Sequence, residues 1–319
     1  MSLLAFAAAG CGRDSGDDAG GGAAAATNGS GDAGEKLSGQ IVADGSSTVA
    51  PLTTAAAESF REEQGGVDVT VGTSGTGGGF EKFCSGETDI SDASRPIKDD
   101  EEAPICKQNG VEYTEFQVAT DALTVVVSSE NDWADCLTVE QLNAIWKPGS
   151  KIENWSQVPG GDYPDEKLTL AGPGTDSGTF DYFTNEVNGE EGASRSDYTA
   201  SEDDNVIVRA VEGAKGALGY FGFTYYEENE NRLKALGIDA GDGCVDPSVE
   251  AAQDGTYKPL SRPLFIYVKN EALQRPEVAG FVRYYIENAL SIAEDALFVP
   301  LTDEQESEQM KKLEETIGA

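Results

Sequence analysis

The sequence predicts two α/β domains joined by two crossover strands, with a ligand cleft between them. Three observations carry that expectation. At 319 residues the chain suits two domains better than one ordinary core. A strand, a Ser/Thr/Gly loop and a helix follow one another three times. Two β-rich runs, Glu115 to Ser128 and Pro259 to Val268, can each carry the chain from one domain to the other. The expected division is 37–119 with 262–319 as the first domain and 120–261 as the second.

Met1 to Gly10 is a short apolar run that ends A-A-A-G before Cys11. It is too short to span a bilayer and resembles the end of a lipoprotein signal, so 1–11 is read as a signal remnant with Cys11 as the lipid acceptor. The Gly, Ala and Asp tract at 12–36 has almost nothing to bury and reads as a disordered tether, with a reach of ~25–30 Å. A domain anchored this way sits on the outer face of the membrane. The other four cysteines agree with an oxidising compartment. Cys84 with Cys106 closes a local loop worth ~3 kcal/mol and leaves Cys136 with Cys244, although four cysteines allow three connectivities.

Folded structure is expected from Leu37. Strand Gln40 to Ala43 runs into D-G-S-S-T-V-A-P and a helix through Leu52, Ala56 and Phe60, with Pro51 in its first turn. Val67, Val69 and Val71 alternate as a strand, followed by G-T-S-G-T-G-G-G-F and a helical start through Phe80 and Phe83. Leu168 to Leu170 leads into G-P-G-T-D-S-G-T-F-D-Y-F, where Phe180, Phe183 and Val187 keep helical spacing. Leu137 to Trp146 is helical in pattern, and Trp146 and Trp155 are assigned to the core. Ser201 to Asn205 reads as the cap of a helix Val206 to Glu212, with Asp204 at the reciprocal position, and Gly216 to Phe223 as packing. Val278, Phe281, Val282, Tyr285 and Ile286 share a helix face, and Thr302 with Gln305 caps a terminal helix.

The three loops point to an anion. The first N–H groups of a helix lack partners, the helix dipole adds positive character, and Ser177 and Thr179 add hydroxyls beside Gly178. One such loop is ordinary capping, whereas three suggest several helix starts converging on a tetrahedral oxyanion. None carries the Gly-Lys-Ser/Thr of a nucleotide loop. Between the second and third loops, D-I-S-D-A-S-R-P-I supplies Ser94 and the planar fork of Arg95, which is suited either to clamp two oxygens of an oxyanion or to make a surface or interdomain ion pair.

Composition removes several alternatives. With 22 Lys plus Arg against 58 Asp plus Glu the net charge is −36, which disfavours nucleic acid and anionic membrane surfaces and fits either a salty habitat that screens the field or simple acidic solubility. The chain has no histidine, so His-based triads and His-based zinc sites are impossible. A binding protein with no catalytic residues, metal or cofactor is expected.

D-G-S-S-T-V, S-G-T-G-G-G-F, D-A-S-R-P-I, G-T-D-S-G-T-F-D-Y-F and P-L-S-R-P-L-F-I-Y-V occur in this order, and from Leu37 to Ala319 the chain resembles the phosphate-binding proteins of bacterial and archaeal phosphate ABC importers. The resemblance implies a type II periplasmic-binding-protein fold, monomeric, that closes on inorganic phosphate and delivers it to the subunits of a membrane permease. It also implies ligand roles for the Ser47 hydroxyl, the Thr48 N–H, Ser74 or Thr76, and Ser177, Gly178 and Thr179. Receptors for sulfate, molybdate or tungstate, a secreted phosphatase using Ser47 or Ser177, and a surface adhesin or sensor are the competing readings.

The chain departs from the family pattern twice. Ala93, Ser94 and Arg95 stand where the best-studied pattern has Ala-Ser-Asp, and Pro173 stands where it has an Arg. Arg95 is expected to replace the missing Arg in space, and another Asp the missing carboxylate. An ionised acceptor bonds the proton of hydrogen phosphate and repels sulfate. Asp121, read as lying in a turn of an apolar run without a structural partner, is the first choice for it, Asp176 the second and Asp92 the third.

Overall fold

The computed structural model describes residues 36–318. The expectations for the signal remnant, for Cys11 and for the tether up to residue 35 lie outside the described residues. No helix among the described residues is long and apolar enough to cross a membrane.

Twelve strands organise these residues: β1 (Ser38–Gly45), β2 (Gly66–Gly72), β3 (Ile90–Ala93), β4 (Tyr113–Ser128), β5 (Cys136–Thr138), β6 (Thr169–Gly172), β7 (Thr199–Ala200), β8 (Ala217–Gly222), β9 (Leu233–Ala235), β10 (Gly237–Asp239), β11 (Cys244–Val245) and β12 (Ser261–Lys269). The main sheet runs β2-β1-β3-β12-β4-β8-β6-β7, with β9 also on β4, and a small sheet runs β11-β10-β5. β1 is parallel to β2 and β3, so each connection needs a crossover helix, supplied by Ala50–Glu63 and Gly75–Ser85. β12 is antiparallel to both β3 and β4.

β4 joins the two halves. From Tyr113 to Ala122 it pairs with β12, and from Leu123 to Val127 with β8. Its side chains change cores at the same place. Phe116 and Ala119 pack with Ile41, Leu52, Leu264 and Phe281, whereas Leu123 and Val125 pack with Trp146, Trp155, Phe183 and Tyr220. Separate hydrophobic cores for the two halves of one continuous sheet make the architecture a two-lobed α/β fold with its crossovers in β4 and β12. Disulfides Cys84–Cys106 and Cys136–Cys244 staple one lobe each.

The alternating valines form β2 and the Leu168 run forms β6. Pro51 lies in the first turn of its helix, and the terminal helix Asp303–Ile317 carries the Thr302/Gln305 capping box. Three local readings are corrected. The glycine-rich stretch is already helical from Gly75, and Gly79 within it serves close packing: a Cβ there would lie 2.5 Å from the Cα of Gly45. The helix at Asp204–Glu212 is capped by Asp203, whose Oδ1 accepts from Asn205 N at 3.0 Å while Ser201 Oγ accepts from Asp203 N at 3.0 Å. Asp121 lies within β4, opposite Arg262 of β12, and not in a turn.

Candidate functional site

A cavity of about 680 Å³ opens where β1, β2, β3 and β6 end and their loops begin. Its wall takes Ser46, Ser47 and Thr48 from the first loop, Gly75, Thr76 and Gly77 from the second helix start, and Ser94 and Arg95 from the loop after β3. The other lobe contributes Gly178, Asp181 and Tyr182 from the helix Gly178–Phe183, and the entry to β12 contributes Lys258, Ser261 and Arg262. Ligands of α/β sheets bind at such carboxyl ends of strands, where helix N-termini present unpaired N–H groups.

The loops from the two lobes meet at one point. A Cβ on Gly178 would lie 2.6 Å from Thr48 Oγ1, so the third loop approaches the first only because residue 178 is glycine. Around this contact the hydroxyls are linked: Thr76 Oγ1 and Ser94 Oγ are 3.0 Å apart, and Ser94 N donates to Thr76 Oγ1 at 3.3 Å. Of the ten ligand positions expected from sequence, Ser47, Thr48, Thr76, Ser94, Arg95 and Gly178 line the cavity.

The other four are placed differently. Ser74 turns to Asp44, which accepts from both its N–H and its hydroxyl; burial works against the Asp44 carboxylate, but Lys82 and Ser74 hold its pKa below the usual value. Ser177 is the N-cap of Gly178–Phe183 and accepts from Thr179 N at 3.2 Å, which occupies that N–H. The Thr48 N–H is likewise bonded to Ser46 Oγ at 3.2 Å. Asp121 is 5% exposed and does not line the cavity.

Asp121 has a strong partner that sequence reading missed. Arg262 donates Nε and Nη2 to Asp121 Oδ2, each at 3.1 Å, and Nη2 also reaches Thr48 Oγ1 at 3.3 Å. The guanidinium lies over the Tyr182 ring, 3.7 Å from its centroid, and the Tyr182 hydroxyl donates to Pro259 O at 2.6 Å. Burial pushes the Asp121 carboxyl up while the charge of Arg262 opposes it. Arg262 therefore ties together β4, β12, the first loop and the helix of the other lobe, and it lines the cavity as a cation fixed in place. The available signal was an Asp and an Arg set in the two runs read as crossovers.

The cation expected to stand in for the missing Arg is arranged otherwise. Arg95 lines the cavity, but its Nη1 and Nη2 bind Glu102 at 2.9 and 2.6 Å. Among carboxylates, Asp181, Glu186 and Glu191 line the cavity, while Asp176 and Asp92 do not. Burial raises the Asp181 carboxyl, Glu191 adds to the effect and Arg262 opposes it. Asp92 is fully buried beneath the first loop: its Oδ1 accepts from Thr53 Oγ1 at 2.8 Å and its backbone O from Ser46 N at 2.9 Å. Burial above all pushes Asp92 up to about 7. No group of three or more potential metal ligands occurs among the described residues.

The family model described as PBP superfamily domain matches residues 30–289. Protein SphX of Synechocystis sp. is 48% identical over 267 residues, covering 83% of this chain and 79% of that protein. The phosphate-binding protein PstS of Staphylococcus saprophyticus is 40% identical over 285 residues, covering 89% and 87%. The crystal structure of a possible phosphate binding protein from Planctomyces limnophilus superposes with a TM-score of 0.83 at 45% identity, covering 88% of this chain and 99% of that one. An ABC-type phosphate transport receptor from Vibrio cholerae, at 23% identity and a TM-score of 0.65, shares the fold.

Proposed function

The chain belongs to the PBP superfamily and, within it, to the family of the phosphate-binding protein PstS, with Protein SphX among its relatives, and from that premise we propose that it captures inorganic phosphate in the cleft between its lobes and hands it to an ABC permease. One observation carries the reading beyond kinship: loop hydroxyls of the first lobe, a helix start from each lobe and a fixed guanidinium, Arg262, line one cavity, and Arg262 reaches Thr48 Oγ1 within it. Such donors suit the several acceptor oxygens of a tetrahedral anion. The ligand set we propose is Ser47, Thr48, Thr76, Ser94, Arg95, Gly178 and Arg262.

We propose Asp181 as the carboxylate that accepts the proton of hydrogen phosphate, in place of Asp121, whose charge is committed to Arg262. Asp181 lines the cavity in the first turn of its helix and stands close enough to Arg262 for their charges to interact. Sulfate, which carries no such proton near neutral pH, would face that carboxylate unpaired.

The division at 37–119 with 262–319 and 120–261 falls close to where β4 changes partner, and hinge closure about β4 and β12 is the motion we propose. A monomer without catalytic activity, exported, anchored through Cys11 and suited to saline surroundings completes the reading, with the net charge of −36 in support of the last point. Equilibrium dialysis of ligand-stripped protein with labelled phosphate, competed by sulfate and molybdate, tests it. Retention of label that neither competitor displaces at equal concentration is expected, and displacement by either would reassign the ligand.

A further inference from the structure

Arg95 is held by a carboxylate that is itself fixed from behind. Glu102 Oε2 accepts from Arg95 Nη1 at 2.9 Å and from Lys98 N at 3.0 Å, while Oε1 accepts from Arg95 Nη2 at 2.6 Å. Arg95 Nη1 also donates to Pro96 O at 3.0 Å, and the guanidinium stacks 5.6 Å from the Phe80 ring centroid. These contacts leave Nε and one proton of Nη2 without a partner among the described residues. Nη2 lies 3.9 Å from where a Cβ would stand on Gly77, in the first turn of the helix that brings Thr76 to the cavity. Glu102 begins the short helix Glu102–Gln108, and that helix is joined to Gly75–Ser85 by the Cys84–Cys106 disulfide. The carboxylate and the cavity wall are thus tied covalently to the same pair of helices.

We propose that Glu102 is a positioning residue for ligand capture: it turns the free N–H groups of Arg95 toward the anion and holds the loop from Ser94 to Lys98 against the cleft, with the Cys84–Cys106 disulfide fixing its own helix. The geometry favours this over a surface ion pair. The Glu102 side chain is 13% exposed, both of its oxygens are engaged, and the two-pronged contact fixes the plane of the guanidinium. An Arg released from this carboxylate would sample many rotamers and would have to be ordered again by the ligand. The inference rests on the anion-receptor reading of the same cleft.

The test is a double-mutant cycle read by phosphate affinity in the full chain, with Glu102→Ala, Glu102→Gln, Arg95→Gln and the Glu102→Ala/Arg95→Gln pair. Glu102→Ala should weaken phosphate roughly tenfold or more, Glu102→Gln less, and Arg95→Gln about as much as Glu102→Ala. The double variant should bind no more weakly than Arg95→Gln alone, because Glu102 acts through Arg95. Additive losses, or unchanged affinity in Glu102→Ala or Arg95→Gln, would overturn the inference. Glu102→Gln keeps the side-chain shape, so the cycle can be closed with it should Glu102→Ala fail to fold. Wild-type protein that takes up no phosphate would reject the receptor reading itself and the inference with it, whereas wild-type binding with additive losses rejects the inference alone.

Discussion

Arg262 and Asp121, directly opposite each other on β12 and β4, are joined by two hydrogen bonds of 3.1 Å from Nε and Nη2 to a single oxygen, Oδ2. The pair lies where the two crossover strands run side by side and the guanidinium reaches the cavity, so under the proposed function one contact would serve both hinge and ligand. Removing one partner of a buried pair leaves the other charge unpaired, typically at a cost of ~3–5 kcal/mol. Arg262→Gln should lose stability on that order, because it strands Asp121, and should bind phosphate at least tenfold more weakly. Chemical denaturation and titration of the same variant check both, and wild-type affinity in a folded Arg262→Gln protein would remove Arg262 from the site.

Asp181→Asn should weaken phosphate and narrow its margin over sulfate, since the variant no longer presents an ionised acceptor to the anion. Asp121→Asn should leave that margin intact while lowering stability. Parallel phosphate and sulfate titrations separate the two. A margin that narrows in Asp121→Asn and not in Asp181→Asn would return the acceptor role to Asp121.

The buried Asp92 carboxyl yields a pH prediction. Its folded-state value, raised by burial to about 7 from 3.8, means that between those two values the unfolded chain has released a proton that the folded chain retains. The stabilising contribution is therefore complete below about pH 4 and disappears as pH rises toward 7, with a slope of up to about 1.4 kcal/mol per pH unit in that window. Asp92→Asn should flatten this slope and gain on the wild type as pH rises. Denaturant midpoints for both proteins from pH 4 to pH 8 decide it; parallel curves would mean that Asp92 does not titrate in this range.

The two disulfides should differ in weight. Cys136–Cys244 spans 108 residues and Cys84–Cys106 spans 22. By loop-closure entropy the longer is worth ~4–5 kcal/mol and the shorter ~3 kcal/mol. Paired Cys→Ser replacements followed by thermal unfolding should show the larger loss for Cys136/Cys244. Only the Cys84/Cys106 replacement should also weaken phosphate, through Glu102.

Much of the fold was legible because it rests on local pattern. Val67, Val69 and Val71 announce β2 by alternation, and Thr302 with Gln305 announces a helix start by reciprocal capping, each within a few residues of sequence. The glycines from Gly75 to Gly79 misled because glycine signals both turns and close backbone approach, and here it is the approach of Gly79 to Gly45 that matters. At the cavity, the loop hydroxyls were readable, but which of them lines it depends on partners such as Asp44, which turns Ser74 away. Arg262 and Asp121 are 141 residues apart and meet only through the register of two antiparallel strands, which local pattern does not set. Arg95 was legible as a cation at the cleft, whereas its carboxylate partner Glu102 was not singled out.

The most direct test of the central claim is isothermal titration of phosphate into the stripped wild-type chain, with sulfate titrated into a second sample. One saturable site for phosphate, with sulfate giving no comparable heat, is the predicted result. Absence of heat with phosphate across temperatures, or equal binding of sulfate, would contradict it.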